Sequence, residues 1–252
     1  MTLERIETKR GHKYQLDGQP VKGVTTIIGN ATPKPALPYW AAKQVASYVV
    51  DNPEALSAIM GRGRDEAISH LKQVPWRERD KAAARGTDVH RIAEDLVHGK
   101  AADVAPELWP YVNGYLHWLD AWDAEPVVTE RPCANRTHWY AGTFDAVLKF
   151  NRGPLDGGVF LCDWKTSSGV YGEMAMQLAA YANAEFYLDD NGMETNMPVI
   201  DGLAIVHVTP DGTSVHRVVD DATAWQMFLL AQQASEAFEL MEKLLSKIGD
   251  DL

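Results

Sequence analysis

Between Gly142 and Tyr181 the chain sets charges into apolar runs where a strand should hold none. Asp145 interrupts GTFDAVLKF, Asp163 and Lys165 interrupt VFLCDWK, and a helical pattern carrying QLAAY follows. Side chains two apart on a strand share a face, so Asp163 and Lys165 project together from one side of a sheet. Flanking Val159, Phe160, Leu161, Cys162 and Trp164 make this strand apolar on both faces. Buried charge of that kind is costly unless it is paired or binds something. One alternative is a plain salt bridge between Asp163 and Lys165 on a solvated face. The other is a divalent cation held by carboxylates on adjoining strands, with a lysine placed to orient a water or to neutralise a developing phosphate charge.

The remaining pattern predicts an α/β fold with a mixed sheet. Residues 12 to 28 read as a hairpin turning at Asp17 and Gly18, with VTTII as its second strand. Helical periodicity then covers PYWAAKQVASYVV, a piece after Pro53, a stretch from about Trp76 to Val97, and another from about Pro106 to Ala121. Strands follow near 126 to 131, 139 to 150 and 159 to 165, the last two joined by the turn signal NRGPLDGG. A helix from about Tyr171 to Tyr187 crosses to strands near 199 to 208 and 213 to 219. The last helix, about Ala222 to Ile248, carries a stripe of Trp225, Phe228, Ala231, Ala234, Phe238, Met241, Leu245 and Ile248, expected to pack on the sheet. With 252 residues and 46% hydrophobic content, the expectation is a single domain over 1–252, with 36–122 as a helical cap or arm and 123–252 as the sheet-bearing core.

Net charge is -11, yet it is unevenly spread. Residues 1 to 91 hold 15 Lys and Arg against 10 Asp and Glu, whereas residues 92 to 252 hold 9 against 25. A basic first part suits phosphate contact, with Arg77, Arg79, Lys81, Arg85 and Arg91 clustering around His90; the competing reading is a solvated helix face paired with neighbouring acids. Tyr39, Trp40, Trp76, Trp109, Tyr111, Tyr115, Trp118 and Trp122 read mostly as core, with one or two able to stack on bases. Only Cys133 and Cys162 are present, outside any CxxC spacing, so cysteine alone cannot ligate an iron-sulfur cluster. No apolar run approaches a membrane span and MTLERIETKR lacks a signal peptide's apolar segment, which gives a cytoplasmic expectation.

In order, His90 (RGTDVH), Asp145 (GTFD), Asp163 with Lys165 (DWK) and Gln177 with Tyr181 (QLAAY) resemble the RecB-like branch of the PD-(D/E)xK nuclease superfamily. The resemblance runs from about Gly86 to Tyr181. It is most like the small phage exonucleases, the CRISPR-adaptation nucleases and the mitochondrial genome-maintenance exonucleases, without the four cysteines that some of these use for an iron-sulfur cluster. It implies a restriction-endonuclease-like core with a mixed β-sheet flanked by helices and a helical N-terminal cap. It also implies that His90, Asp145, Asp163 and the backbone carbonyl of Trp164 hold one or two Mg2+ or Mn2+ ions, with Glu130 (VVTERP) either a further member or half of a surface ion pair. Lys165 would be the catalytic lysine, with Asp163, Asp145, Gln177 and Tyr181 beside it.

The function expected on these grounds is a metal-dependent deoxyribonuclease, an exonuclease acting on single-stranded or frayed DNA ends in recombination, repair or phage DNA processing. Its setting would be the cytoplasm of a bacterium or phage-infected host, with a recombination protein as a further partner. The rivals are a catalytically idle nucleic-acid-binding or recombination-partner protein on the same fold, and a restriction-type endonuclease.

Overall fold

A computed structural model describes residues 2–8, 11–241 and 243–245. The chain separates into two compact units, Pro33–His90 and Met1–Thr32 with Arg91–Leu252.

The larger unit is built on one ten-stranded mixed sheet with helices against it. Strands β1 (Leu3–Thr8), β2 (Gly11–Leu16) and β3 (Gln19–Gly23) form an antiparallel meander. Its second turn falls at Asp17 and Gly18, both at positive φ (52° and 78°), the type I′ geometry that matches strand twist. The segment VTTII departs from the strand expectation: it lies in helix α1 (Val24–Ala31). Its apolar residues Val24, Ile27 and Ile28 fall at i, i+3 and i+4, and all three are buried, so tertiary burial overrides the β-branched preference for a strand.

The centre of the sheet comes from β4 (Ala124–Asn135), β5 (Tyr140–Phe150) and β6 (Val159–Lys165), successive antiparallel neighbours. Helix α6 (Gly172–Ala182) then crosses from β6 to its parallel neighbour β9 (Gly202–Thr209), which β10 (Gly212–Arg217) borders. Two short strands, β7 (Phe186–Leu188) and β8 (Glu194–Asn196), extend the β4 side; β7 occupies residues expected to be the end of the α6 helix. Helix α5 (Trp109–Trp122) belongs to this unit, with Tyr111, Tyr115 and Trp118 buried and a Tyr115–Trp164 edge contact. These aromatics are therefore core, and the helical part outside the sheet unit is narrower than 36–122.

Helix α7 (Asp221–Met241), expected to pack on the sheet, instead buries Ala224, Phe228 and Ser235 chiefly against α1 and α6. Phe228 packs 5.0 Å from the Tyr140 ring, and Asn30 of α1 donates to Ser235. The expected stripe is thus correct at Phe228 and wrong at Phe238, Met241 and Leu245, which are exposed, Leu245 lying beyond the end of the helix. Ile248 lies outside the described residues.

The smaller unit holds α2 (Ala36–Asp51), α3 (Pro53–Met60) and most of the long helix α4 (Arg64–Val97). That helix begins well before Trp76 and continues through Pro75, which forgoes one backbone hydrogen bond without ending it. Tyr48 of α2 meets α4 through a 2.9 Å contact of its hydroxyl with His70 Nε2. Tyr39 and Trp76 are largely exposed.

Candidate metal centre and its buried ion pair

The pairing of β5 opens at the site. On one edge, β5 pairs with β3 at Tyr140 and Ala141 and with β6 only from Ala146 to Lys149. Residues Gly142 to Asp145 face the gap where one neighbour has ended and the other has not begun. Phe144 and Val147, three apart, lie in one buried cluster, so the inside–outside alternation slips at Asp145. Into this gap the Asp145 carboxylate accepts a 2.9 Å hydrogen bond from the Trp164 backbone N–H. A strand residue's N–H and C=O point to the same edge, so the Trp164 carbonyl, an expected ligand, faces the gap too.

Glu130 reaches the same place from β4. Pairings of Thr129 with Ala146 and of Arg131 with Phe144 bracket it opposite Asp145. Its φ of 48° is left-handed, a conformation worth of order 1 kcal/mol or more of strain in a non-glycine residue and one that gathers at functional sites. His90 comes from α4. It ends the helical unit, while the following turns of the same helix are anchored in the sheet unit by buried Ile92, Ala93 and Val97 and by a 3.3 Å hydrogen bond from the Tyr115 hydroxyl to the Ala93 carbonyl. One ligand atom each from His90, Glu130 and Asp145 lie within 4.8 Å of one another, a group able to hold a metal ion.

Asp163 is not in that group. It is 1% exposed, ion-paired to the Lys165 ammonium and hydrogen-bonded by the Gln177 amide at 2.9 Å. The same amide donates to the Tyr181 hydroxyl at 3.3 Å, which unites DWK with QLAAY. Gln177 and Tyr181 are four apart on α6 and so share its sheet-facing side. Gly142 makes room for the Tyr181 ring, since a Cβ there would overlap it. Thr143 meets the Tyr14 hydroxyl at 2.9 Å, tying the N-terminal meander to the strand that carries Asp145. Neither role of the Gly142–Thr143 pair was read from the sequence; their place beside Asp145 in GTFD was the available signal.

The electrostatics describe carboxylates crowded out of water. Burial, with Asp145 and Glu94 adding repulsion, pushes the Glu130 carboxyl up to about 8. Burial and then Asp145 raise Asp163, with Lys165 opposing. Burial alone would lower Lys165, but Asp163 and Asp145 outweigh it and hold the ammonium protonated. Burial and then Asp163 raise the Tyr181 hydroxyl. A cation among Glu130, Asp145 and His90 would offset this repulsion, and mixed imidazole and carboxylate donors fit such an ion. Glu94, which follows His90 by one turn, adds negative charge there.

The pH consequence has a definite sign. Because Glu130 is raised from its ordinary 4.5 to about 8, the folded metal-free protein favours the protonated acid. Its contribution is full below the unfolded value and is lost as pH climbs through about 8. Metal binding displaces that proton. The thermal stabilisation by Mn2+ should therefore grow from about pH 5 to pH 8. Glu130→Gln should flatten this growth and raise the metal-free Tm at pH 8 by about 3 °C or more. Scanning calorimetry of both proteins with Mn2+ or chelator checks it; identical pH profiles would remove Glu130 from the centre.

The expected DNA contacts are distributed differently. Arg79 pairs with Asp80 and lies over the Trp76 ring, Lys81 pairs with Glu78, and Arg91 pairs with Asp95. Arg77 contacts His70 Nε2 at 3.1 Å, and Arg85 is exposed. Exposed ion pairs of this kind contribute little to stability. Cys133 and Cys162 are both buried and free, on β4 and β6, and form no cluster.

No family model matches the chain. No curated protein matches it either. A solved structure described as "Crystal structure of SSO0001" aligns with 89% of this chain and 79% of its own, at 14% identity and a TM-score of 0.34, a likeness too slight to carry an argument. The geometry of the site therefore carries the functional reading. Among the described residues, no helix is long and apolar enough to cross a membrane.

Proposed function

We propose that this protein is a metal-dependent deoxyribonuclease on a PD-(D/E)xK-type core, working as an exonuclease on single-stranded or frayed ends. The observation that carries the reading is the adjacency of two arrangements: the His90, Glu130 and Asp145 group, and the buried Asp163–Lys165 pair held by Gln177. A purely structural ion pair needs no second cluster of acids beside it. The antiparallel β4–β5–β6 segment, followed by the α6 crossover to parallel β9, supports the core assignment.

Bound Mg2+ or Mn2+ would supply charge neutralisation at the scissile phosphate and an activated water. The chain's own residues do the rest. The Trp164 amide fixes one Asp145 oxygen before any ligand arrives. Lys165, kept protonated by Asp163 and Asp145, offers a positive charge to a developing phosphate oxygen. Gln177 fixes the Asp163 carboxylate, and the protein around it excludes water, which strengthens each of these interactions.

The test is incubation with end-labelled single-stranded, duplex and covalently closed circular DNA, each with Mg2+, Mn2+ or chelator. Metal-dependent shortening of linear single strands, with circles surviving, is the expected result. Cutting of circles would make it an endonuclease. Binding without cleavage under any metal would make it an idle nucleic-acid-binding protein on this fold.

A further inference from the structure

Beside the acidic centre, on the helix-covered face of the sheet, lies a cavity of about 570 Å3 that the proposed chemistry does not use. Register places it. Asp163 pairs laterally with Ile205 on β9, and Ile205 with His216 on β10, so these three side chains share one face. The cavity opens over Ile205 and His216, beginning one strand from the buried Asp163 and ending about 10 Å from it at a strand spacing of about 4.8 Å. Tyr171 and Met176, at the start of α6, wall one side; Met227 of α7 walls the other.

We infer that this cavity is a subsite for one unpaired nucleobase, belonging to a nucleotide that flanks the phosphate at the acidic centre. The inference rests on the nuclease reading and adds a substrate contact to it. The volume lies within the range of small-molecule pockets, which runs from roughly 300 to 1,000 Å3. Its lining is mainly apolar, which suits a base face, and its polar groups stand at the margin, where base edges need partners. The Tyr171 hydroxyl there meets Ser168 at 3.1 Å, and His216 Nε2 meets Ser214 at 3.0 Å.

Charge decides how such a nucleotide would lie. At the α7 rim the Asp220 carboxylate accepts hydrogen bonds from the Thr223 backbone N–H and hydroxyl, with Asp221 next to it. Two acids there repel a phosphate, with Arg217 of the same lining offsetting part of their charge. On the other side, Lys165 and its lateral neighbour His207 stand on the same face of β6 and β9, with Lys165 on the strand nearer the metal-capable group. The sugar-phosphate backbone therefore runs along the Lys165 side and the base points into the cavity. Stacking against a tyrosine and thioethers tolerates every base, so the subsite selects unpaired over paired nucleotides without reading sequence.

The test uses the full chain and end-labelled single-stranded oligonucleotides carrying one abasic residue at the first, second or third position from the digested end. In the unaltered protein, one of these positions should raise KM about tenfold, the weak end of base–aromatic stacking, with kcat unchanged. Met227→Trp should fill the cavity from its half-exposed rim and raise KM for the unmodified strand by a similar factor. The abasic strand should then lose nothing further. Cleavage with KM indifferent to every abasic position overturns the subsite while leaving the nuclease reading intact, without relying on any variant's folding. Fully additive effects of the variant and the abasic residue overturn it as well. If no DNA is cut under any metal, the nuclease reading falls and the subsite with it.

Discussion

Lys165→Met should lower DNA cleavage by at least about a hundredfold while leaving oligonucleotide affinity within a few-fold, because the ammonium acts on charge that develops only in the transition state. The structure adds a second expected effect. Lys165 is the counterion of a carboxylate that is 1% exposed, and removing one partner of a buried pair costs about 3–5 kcal/mol when the other must stay charged. Asp163 has a way out: already raised by burial and Asp145, it rises further without the lysine and takes a proton near neutrality. The stability loss should therefore be smaller at pH 6 than at pH 8. Single-turnover rates and calorimetry across that range separate the two effects. Near-normal turnover in the variant would overturn the role given to Lys165.

Gly142→Ala should cost about 2–3 kcal/mol, the upper part of the range for overpacking. A Cβ at that position would overlap the Tyr181 ring, with Cδ1 at 3.2 Å and Cζ at 3.4 Å, and the ring is buried. For a chain of this size the loss corresponds to a fall in Tm of about 4–12 °C. Tyr181→Ala opens the space at its own cavity cost, so the two changes together should cost less than their sum by about 1 kcal/mol or more. Gly142→Ala should also slow catalysis, because Tyr181 shares the Gln177 amide with Asp163. An unchanged Tm would show that the ring does not rest on β5.

The parts of the fold legible in the sequence were those written in local pattern. The apolar runs of β5 and β6, the Asp17–Gly18 turn and the α6 crossover all follow from alternation, turn chemistry and periodicity. Spacing of two on a strand and four on a helix likewise brings Asp163 with Lys165 and Gln177 with Tyr181 to one face each, whereas the meeting of the two pairs was implied only by the family resemblance. What stayed hidden depends on contacts distant in the chain. VTTII is a strand by propensity and a helix by burial against α6 and α7. The buried side of α7 is set by where α1 lies, which its own periodicity does not contain. Glu130 was named as a further metal-holding residue on the resemblance alone, and its left-handed backbone inside a strand is not announced by VVTERP.

The hydrogen bond from the Trp164 amide to Asp145 gives the chain its own spectroscopic reporter. That proton is shared with a carboxylate of the metal-capable group, while the indole of the same residue is buried against Tyr115 on the opposite face. A change in charge at Asp145 must therefore alter the chemical shift of the Trp164 amide proton directly, with no probe group added to the chain. Titrating a diamagnetic ion such as Mg2+ into the 15N-labelled protein should move this one amide early and far. The occupancy of the centre then becomes readable in solution before any substrate is known.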